Sequence, residues 1–288
     1  MREQDTPDYV LVGHVTQDLM PQGAFRVGGT ATYSAITAAR LGLRVGVLTS
    51  AAADYPFHLA LRPPCGAVAE NVVVHCIPSP FTTTFENIYH RGRRHQYVRH
   101  VATPLRMQDL PESWRGAPIL HLGPVANEVV GGPWQTVKGC LLGITPQGWM
   151  RRWDENGRVS PADWREATTL APHADALVLS IEDVGYDEAR LRALTQLCPL
   201  VAVTAGKEDA ILFWQGQSCN VPAFEAQEVD VTGAGDVFAA AFFVRLWEGA
   251  GPLEAARFAH AAASWAIEAP GIEGIPSRQM IEYRLRHG

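Results

Sequence analysis

The chain has few cysteines, no long apolar run and no excess of positive charge, and each shortage removes a class of protein. Its five cysteines, Cys65, Cys76, Cys140, Cys198 and Cys219, are odd in number, widely scattered and include no Cys-x-x-Cys pair. That pattern argues against a disulfide framework or a thiolate zinc site and for reduced thiols, which places the chain in the cytoplasm. No apolar stretch approaches the ~18 residues of a membrane helix. The polar, acidic start from Met1 to Asp8 is unlike a secretory signal. A net charge of −6 gives no electrostatic reason to expect nucleic acid or an anionic membrane as a partner. No repeat is visible. No Gly-x-Gly-x-x-Gly follows the first strand-like run, which sets aside a nicotinamide or flavin dinucleotide enzyme.

What remains is a chain of 288 residues with 47% hydrophobic content, enough for a sizeable core in one large α/β domain or two smaller ones. Short apolar runs at Tyr9–Gly13, Val45–Ser50, Pro118–Gly123, Cys140–Ile144, Ala176–Ser180 and Pro199–Thr204 read as buried strands. Small residues from Thr30 onward, stopped by Gly42, read as a helix, so a β-α-β unit opens the chain. Val72–Ile77, Thr84–Tyr89 and Gln96–Val101 follow one another with no helix between, and Gly92 suits a hairpin. They predict an antiparallel piece over about residues 72–101, outside the main sheet. Arg91, Arg93 and Arg94 at its turn fit either a solvated connection or a phosphate contact.

The chemistry is concentrated in Asp230-Val231-Thr232-Gly233-Ala234-Gly235-Asp236, which runs into the apolar segment from Val237 to Trp247. A helix starting near Gly233 or Ala234 points unpaired N–H groups into a loop with almost no side chains, where an anion can approach. Asp236 would lie in the first turn beside that anion. A carboxylate repels a phosphate, so its presence there makes sense chiefly if it accepts a proton during phosphoryl transfer. The alternative is a tight turn with a favourable first-turn acid. Asp18, at the C-terminal end of the first strand, is placed either to hold a hydroxylated ligand or to close an Asx turn.

This stretch closely resembles the Asp-Thr-x-Gly-Ala-Gly-Asp signature of the ribokinase-like (PfkB) carbohydrate kinase family, with Val231 at the second position. The resemblance implies a three-layer α/β/α ribokinase-like domain over residues 1–288 with a small β lid, which in the family often also serves as a dimer surface. It implies an ATP- and Mg2+-dependent kinase acting on a hydroxyl of a sugar, polyol or cyclitol such as inositol. Asp236 would be the base, and the amides of Gly233, Ala234 and Gly235 the anion hole. Gly28 and Gly29 match the acceptor-binding Gly-Gly-x-x-x-Asn-x-Ala segment, with Tyr33 where the asparagine is expected. They would bind the acceptor together with Asp18. Thr204, Gly206 and Thr232 would border the nucleotide phosphates, and Ala263 and Gly271 the adenine. The family's Asn-x-x-Glu becomes Ser180-Ile181-Glu182-Asp183, leaving Asp183 or Glu182, with Asp230, to hold the metal or its water. Thr145-Pro146-Gln147 is an altered form of an Asp-Pro-Asn strand end. Phe81, Phe85 and Tyr89 leave a nucleoside acceptor open, and a non-catalytic sugar- or nucleotide-binding regulator on the same fold is the other alternative.

Overall fold

The computed structural model describes residues 6–20, 23–61, 71–90, 93–134, 137 and 139–288. The chain begins with β1 (Tyr9–Val12), β2 (Thr16–Leu19), β3 (Phe25–Gly28), α1 (Thr30–Arg40), β4 (Val45–Ala51) and the single turn α2 (Phe57–Ala60). Next come β5 (Val72–Pro78), β6 (Thr83–His90), β7 (Arg93–His100), β8 (Ile119–Leu122), β9 (Leu141–Ile144), β10 (Arg151–Trp153) and β11 (Val159–Pro161). The last part holds α3 (Ala167–Leu170), β12 (Ala176–Ser180), α4 (Glu188–Leu197), β13 (Leu200–Thr204), β14 (Ala210–Trp214) and β15 (Gln217–Val221). It closes with α5 (Ala234–Trp247), α6 (Pro252–Ala266) and α7 (Arg278–His287).

Nine strands form the main sheet in the order β15-β14-β13-β12-β9-β8-β1-β4-β5, with every pairing parallel except those that β14 makes with β13 and β15. The apolar runs read as strands are strands because they are covered on both faces, as parallel sheets require. β1 shows how. Tyr9 and Leu11 belong to the core shared with α1, α5 and α6, while Val10 and Val12 belong to the opposite core with Leu110, Trp114 and Leu194 of α4. Helices therefore lie on both sides of one sheet. α5 is buried from Val237 to Val244, and burying Phe238, Phe242 and Phe243 contributes roughly 1.5–3 kcal/mol each. Pro252 starts α6 at a position where no N–H is needed. The four described cysteines are free thiols; Cys65 falls outside the described residues.

The lid differs from the expectation. Val72–Pro78 is not part of it: β5 pairs in parallel with β4, Val45 opposite Val72, and forms the edge of the main sheet. The lid is a separate four-stranded sheet in the order β3-β2-β6-β7, so it draws on residues 16–28 as well as 83–100. β2 runs parallel to β6 and antiparallel to β3, with Asp18 opposite Arg26. β6 and β7 pair antiparallel as foreseen, with an irregularity between Thr84 and Phe85. Their turn, including Arg91, lies outside the described residues, as do the side chains of Arg93 and Arg94.

Candidate active site

Asp236 is placed by two helices that meet at their N-termini. Gly233 caps α5 in the left-handed region, φ 79°, and Gly29 precedes α1 at φ 88°. Thr30, the first residue of α1, donates through Oγ1 to Asp236 Oδ1 at 2.7 Å, and Ser34 Oγ donates to the Asp236 carbonyl at 3.1 Å. The two starts are thereby locked side by side. Gly28 and Gly29 let the chain pass close to the lid: a Cβ on Gly29 would stand 2.6 Å from the His14 carbonyl. One on Gly28 would stand 3.1 Å from Asp18 Oδ2. Asp18, Gly28, Gly29 and Asp236 thus lie close together.

Burial pushes the Asp236 carboxyl up to about 6, helped by the charge of Asp183 and opposed by the Thr30 hydrogen bond and the charge of Arg151. A carboxylate tuned to that range suits a general base at neutral pH. Of the amides expected in the anion hole, that of Ala234 donates to the Val231 carbonyl at 3.2 Å. The amides of Gly235 and Asp236, also in the first turn, are those that helix geometry leaves without a carbonyl four residues back.

The metal candidates separate. Asp183 sits near Asp236, accepts from Ser180 N at 2.8 Å and from Gln147 Nε2 at 3.2 Å, and is raised by burial. Glu182 is exposed. Asp230 is engaged by Arg26 Nη1 at 2.6 Å, Thr232 N at 3.0 Å and Gly271 N at 3.1 Å. Among the described residues no three His, Cys, Asp or Glu side chains gather as a ligand set. Asp183 remains the oxygen donor that fits Mg2+, which keeps most of its water and takes only one or two carboxylates.

Thr204 ends β13, its carbonyl accepting from Ile181 N at 2.9 Å, and Gly206 turns there at φ 65° in open space. Gly271 lies against the signature loop through Asp230, whereas Ala263 packs on the core. Thr145 faces inward, its hydroxyl 2.9 Å from Nε2 of the buried His121. Phe81 stacks on His100, Phe85 is buried beneath the Arg151 guanidinium, and the Tyr89 side chain is outside the described residues.

Sequence reasoning missed Thr30, Arg26 and Arg151. Arg151 donates to the Val125 carbonyl at 3.0 Å, and its charge reaches both Asp236 and Asp183. The nearest available signal was position: Thr30 directly follows the glycine pair, and Arg151 lies three residues beyond Gln147-Gly148.

Residues 164–278 match the family described as pfkB family carbohydrate kinase. The chain is 27% identical to an inositol 3-kinase of Oryza sativa subsp. japonica over 93% of its own length and 70% of that protein. It is 40% identical to a ribokinase of Bacillus subtilis over 41% of its length and 40% of the ribokinase, so it matches less than half of that relative. A pyrophosphate-dependent kinase in the ribokinase family, complexed with a pyrophosphate analog and myo-inositol, superposes with a TM-score of 0.77 at 22% identity, covering 96% of this chain and 99% of the other. Arabidopsis thaliana ribokinase complexed with ribose and ATP superposes at 0.75 and 22% identity, covering 98% of this chain and 100% of the other.

Proposed function

We propose that the chain is a ribokinase-like (PfkB) carbohydrate kinase, the family its residues 164–278 match, and that it moves the terminal phosphoryl group of ATP to a hydroxyl of a sugar, polyol or cyclitol, an inositol first among them. The observation that carries this reading is Asp236, raised to about 6 and fixed by Thr30 in the first turn of a helix whose cap bears no side chain. The inositol preference draws support from the rice relative, which the chain matches along most of its length. Tyr33 in place of the sugar-reading asparagine points the same way.

Asp18, Gly28 and Gly29 hold the acceptor with one hydroxyl toward Asp236. Asp236 accepts that proton as the oxygen attacks, and the oxygen–phosphorus bond to the donor's leaving phosphate breaks. The first-turn amides of α5 face the phosphoryl oxygens as charge spreads over them. Asp183 would hold Mg2+ directly or through water, and Mg2+ would neutralise the donor's oxygens. Thr204, Gly206 and Thr232 border the donor phosphates, and the Gly271 loop lies beyond. The lid, β2 and β3 included, covers the acceptor and keeps water from taking its place. Two copies pairing through their lids would cover Phe25 and Ile88, which stand exposed on β3 and β6.

The test is product release with Mg-ATP, and in parallel with Mg-pyrophosphate, across pentoses, hexoses, inositols and nucleosides. Asp236→Asn serves as the shape-preserving control. Acceptor-dependent ADP release that vanishes in the variant is the expected result. Release with pyrophosphate alone would correct the donor, and release from no acceptor would overturn the reading.

A further inference from the structure

Asp236 is gripped at two points by one helix. Thr30 of α1 donates to its carboxylate at 2.7 Å, and Ser34, one turn further along the same face, donates to its main-chain carbonyl at 3.1 Å. Ser34 is wholly buried, and buried polar groups lead away from it through the core. The Tyr9 hydroxyl on β1 is bonded to Ser34. Tyr9 Oη lies 2.7 Å from Nδ1 of His121 on β8, and His121 Nε2 lies 2.9 Å from Thr145 Oγ1, just past β9. The His121 ring also stands edge-on to Phe243, with centroids 5.0 Å apart, two turns along α5 from Asp236.

The direction of each hydrogen bond follows from what each group can give. A carbonyl only accepts, so the Ser34 proton goes to Asp236, and Ser34 Oγ is left to accept from Tyr9. Burial, then the charge of Asp236, pushes the Tyr9 phenol well above its ordinary range, so it keeps its one proton and gives it to Ser34. Tyr9 Oη must then accept from His121 Nδ1. Burial holds His121 down at about 3, so the ring is neutral, carries its proton on Nδ1 and accepts at Nε2 from the Thr145 hydroxyl. The result is one directed file, Thr145 to His121 to Tyr9 to Ser34 to Asp236, in which each hydrogen bond polarises the next. The reverse file is equally complete within the core, with His121 protonated on Nε2. It differs at its end: Ser34 then donates to Tyr9 and lets go of Asp236.

We propose that the His121 tautomer positions the base. With the proton on Nδ1 the file ends on the Asp236 carbonyl and holds the first turn of α5 where Thr30 meets the carboxylate; with the proton on Nε2 that hold is released. His121, Tyr9 and Ser34 are positioning residues, buried in the core and acting through Asp236. The effect on rate rests on the phosphoryl-transfer reading above, whereas the direction of the file is a property of the ligand-free protein. A displaced base slows proton transfer without weakening substrate binding, so the device acts on kcat.

The probe is the ligand-free protein with isotope-labelled histidine, because the two ring nitrogens exchange their shifts between tautomers. The wild type should show His121 protonated on Nδ1. Ser34→Ala removes the acceptor of the Tyr9 proton, which turns to His121 Nδ1, so the ring should pass to the Nε2 tautomer from two side chains away. With a turned-over acceptor, Ser34→Ala and Tyr9→Phe should each lower kcat about tenfold while both KM values stay within about twofold. Because both act through one contact, the double variant should be no slower than the slower single one. His121 protonated on Nε2 in the wild type overturns the proposal without recourse to any variant. So does an unchanged tautomer in folded Ser34→Ala, or a loss confined to KM. If no acceptor is turned over, the kinase reading fails, and the two spectra still decide whether His121 sets the hold on Asp236.

Discussion

Arg26 Nη1 lies 2.6 Å from Asp230 Oδ2, so a strand of the lid is tied to the first residue of the signature loop. The two ends of this pair are not equivalent. Arg26 is 39% exposed and Asp230 14%, and Asp230 also holds the amides of Thr232 and Gly271. Removing the arginine leaves a carboxylate that still has two donors. Removing the carboxylate leaves two amides and a cation without their partner.

Arg26→Ala should therefore cost at most about 1 kcal/mol of stability, and Asp230→Ala about 1–3 kcal/mol, measured by denaturant unfolding. Burial raises the Asp230 carboxyl, but Thr232, the Gly271 amide and Arg26 together outweigh it and hold the group below its ordinary 3.8. A depressed carboxylate stabilises the fold above its unfolded-state value and loses that contribution as pH falls below it. The penalty of Asp230→Asn should accordingly be full at neutral pH and shrink below about pH 4.

The two glycines of the signature should respond in opposite ways to the same methyl group. Gly233 sits at φ 79° with the Tyr33 ring where a Cβ would go, so Gly233→Ala pays for both the left-handed backbone and the clash. Its melting temperature should drop by several degrees, from a cost above about 2 kcal/mol. At Gly235 a Cβ meets nothing within 4 Å and the backbone is helical. Gly235→Ala should fold at least as stably, with a gain of up to about 1 kcal/mol. Its methyl would occupy the open space an anion must enter to reach the first-turn amides. Loss of kcat/KM for the donor by about a hundredfold, with an unchanged melting curve, is the expected signature.

How much of this was legible depends on the range of each interaction. β1, β4, β8, β12 and β13 announce themselves because both faces of each strand are covered and the apolar run is continuous. The cap of α5 and the place of Asp236 follow from a seven-residue window. The lid was misread because its membership is set by pairing across the chain. β2 has only four residues and joins β6, 67 positions away from Thr16 to Thr83, while the more apolar β5 goes to the main sheet. Thr30 and Arg26 find partners 206 and 204 residues away, a separation that no local pattern encodes.

Asp236 has a pKa above that of an unfolded aspartate, about 6 against 3.8, and this has consequences for both rate and stability. As a base it must be ionised, so kcat/KM should fall below about pH 6. For stability the sign is reversed. The stabilising contribution of a raised carboxyl is present below the unfolded value and is lost as pH rises through the folded one. At pH 7 the ionised group therefore weighs against the fold by up to about 3 kcal/mol, less because Asp236 keeps part of its surface open to the cleft. Asp236→Asn should abolish turnover and raise the melting temperature at pH 7, with the gain vanishing below about pH 4. A variant that is inactive but no more stable at any pH would mean that burial does not strain the ionised form.

Arg151 and Asp183 pull the base in opposite directions, which allows the electrostatic account to be tested with one observable. The positive charge of Arg151 lowers the Asp236 carboxyl and the negative charge of Asp183 raises it. Arg151→Gln should move the acidic limb of the kcat/KM profile to higher pH, and Asp183→Asn should move it to lower pH, whatever each does to the maximal rate. Arg151→Lys separates charge from shape: it keeps the positive charge but loses the planar contact over Phe85 and the bond to the Val125 carbonyl. If charge is what reaches Asp236, the lysine variant should keep the limb near its original position while the maximal rate falls. A limb displaced equally by lysine and glutamine would instead assign Arg151 to holding the lid strand and the Val125 loop in place.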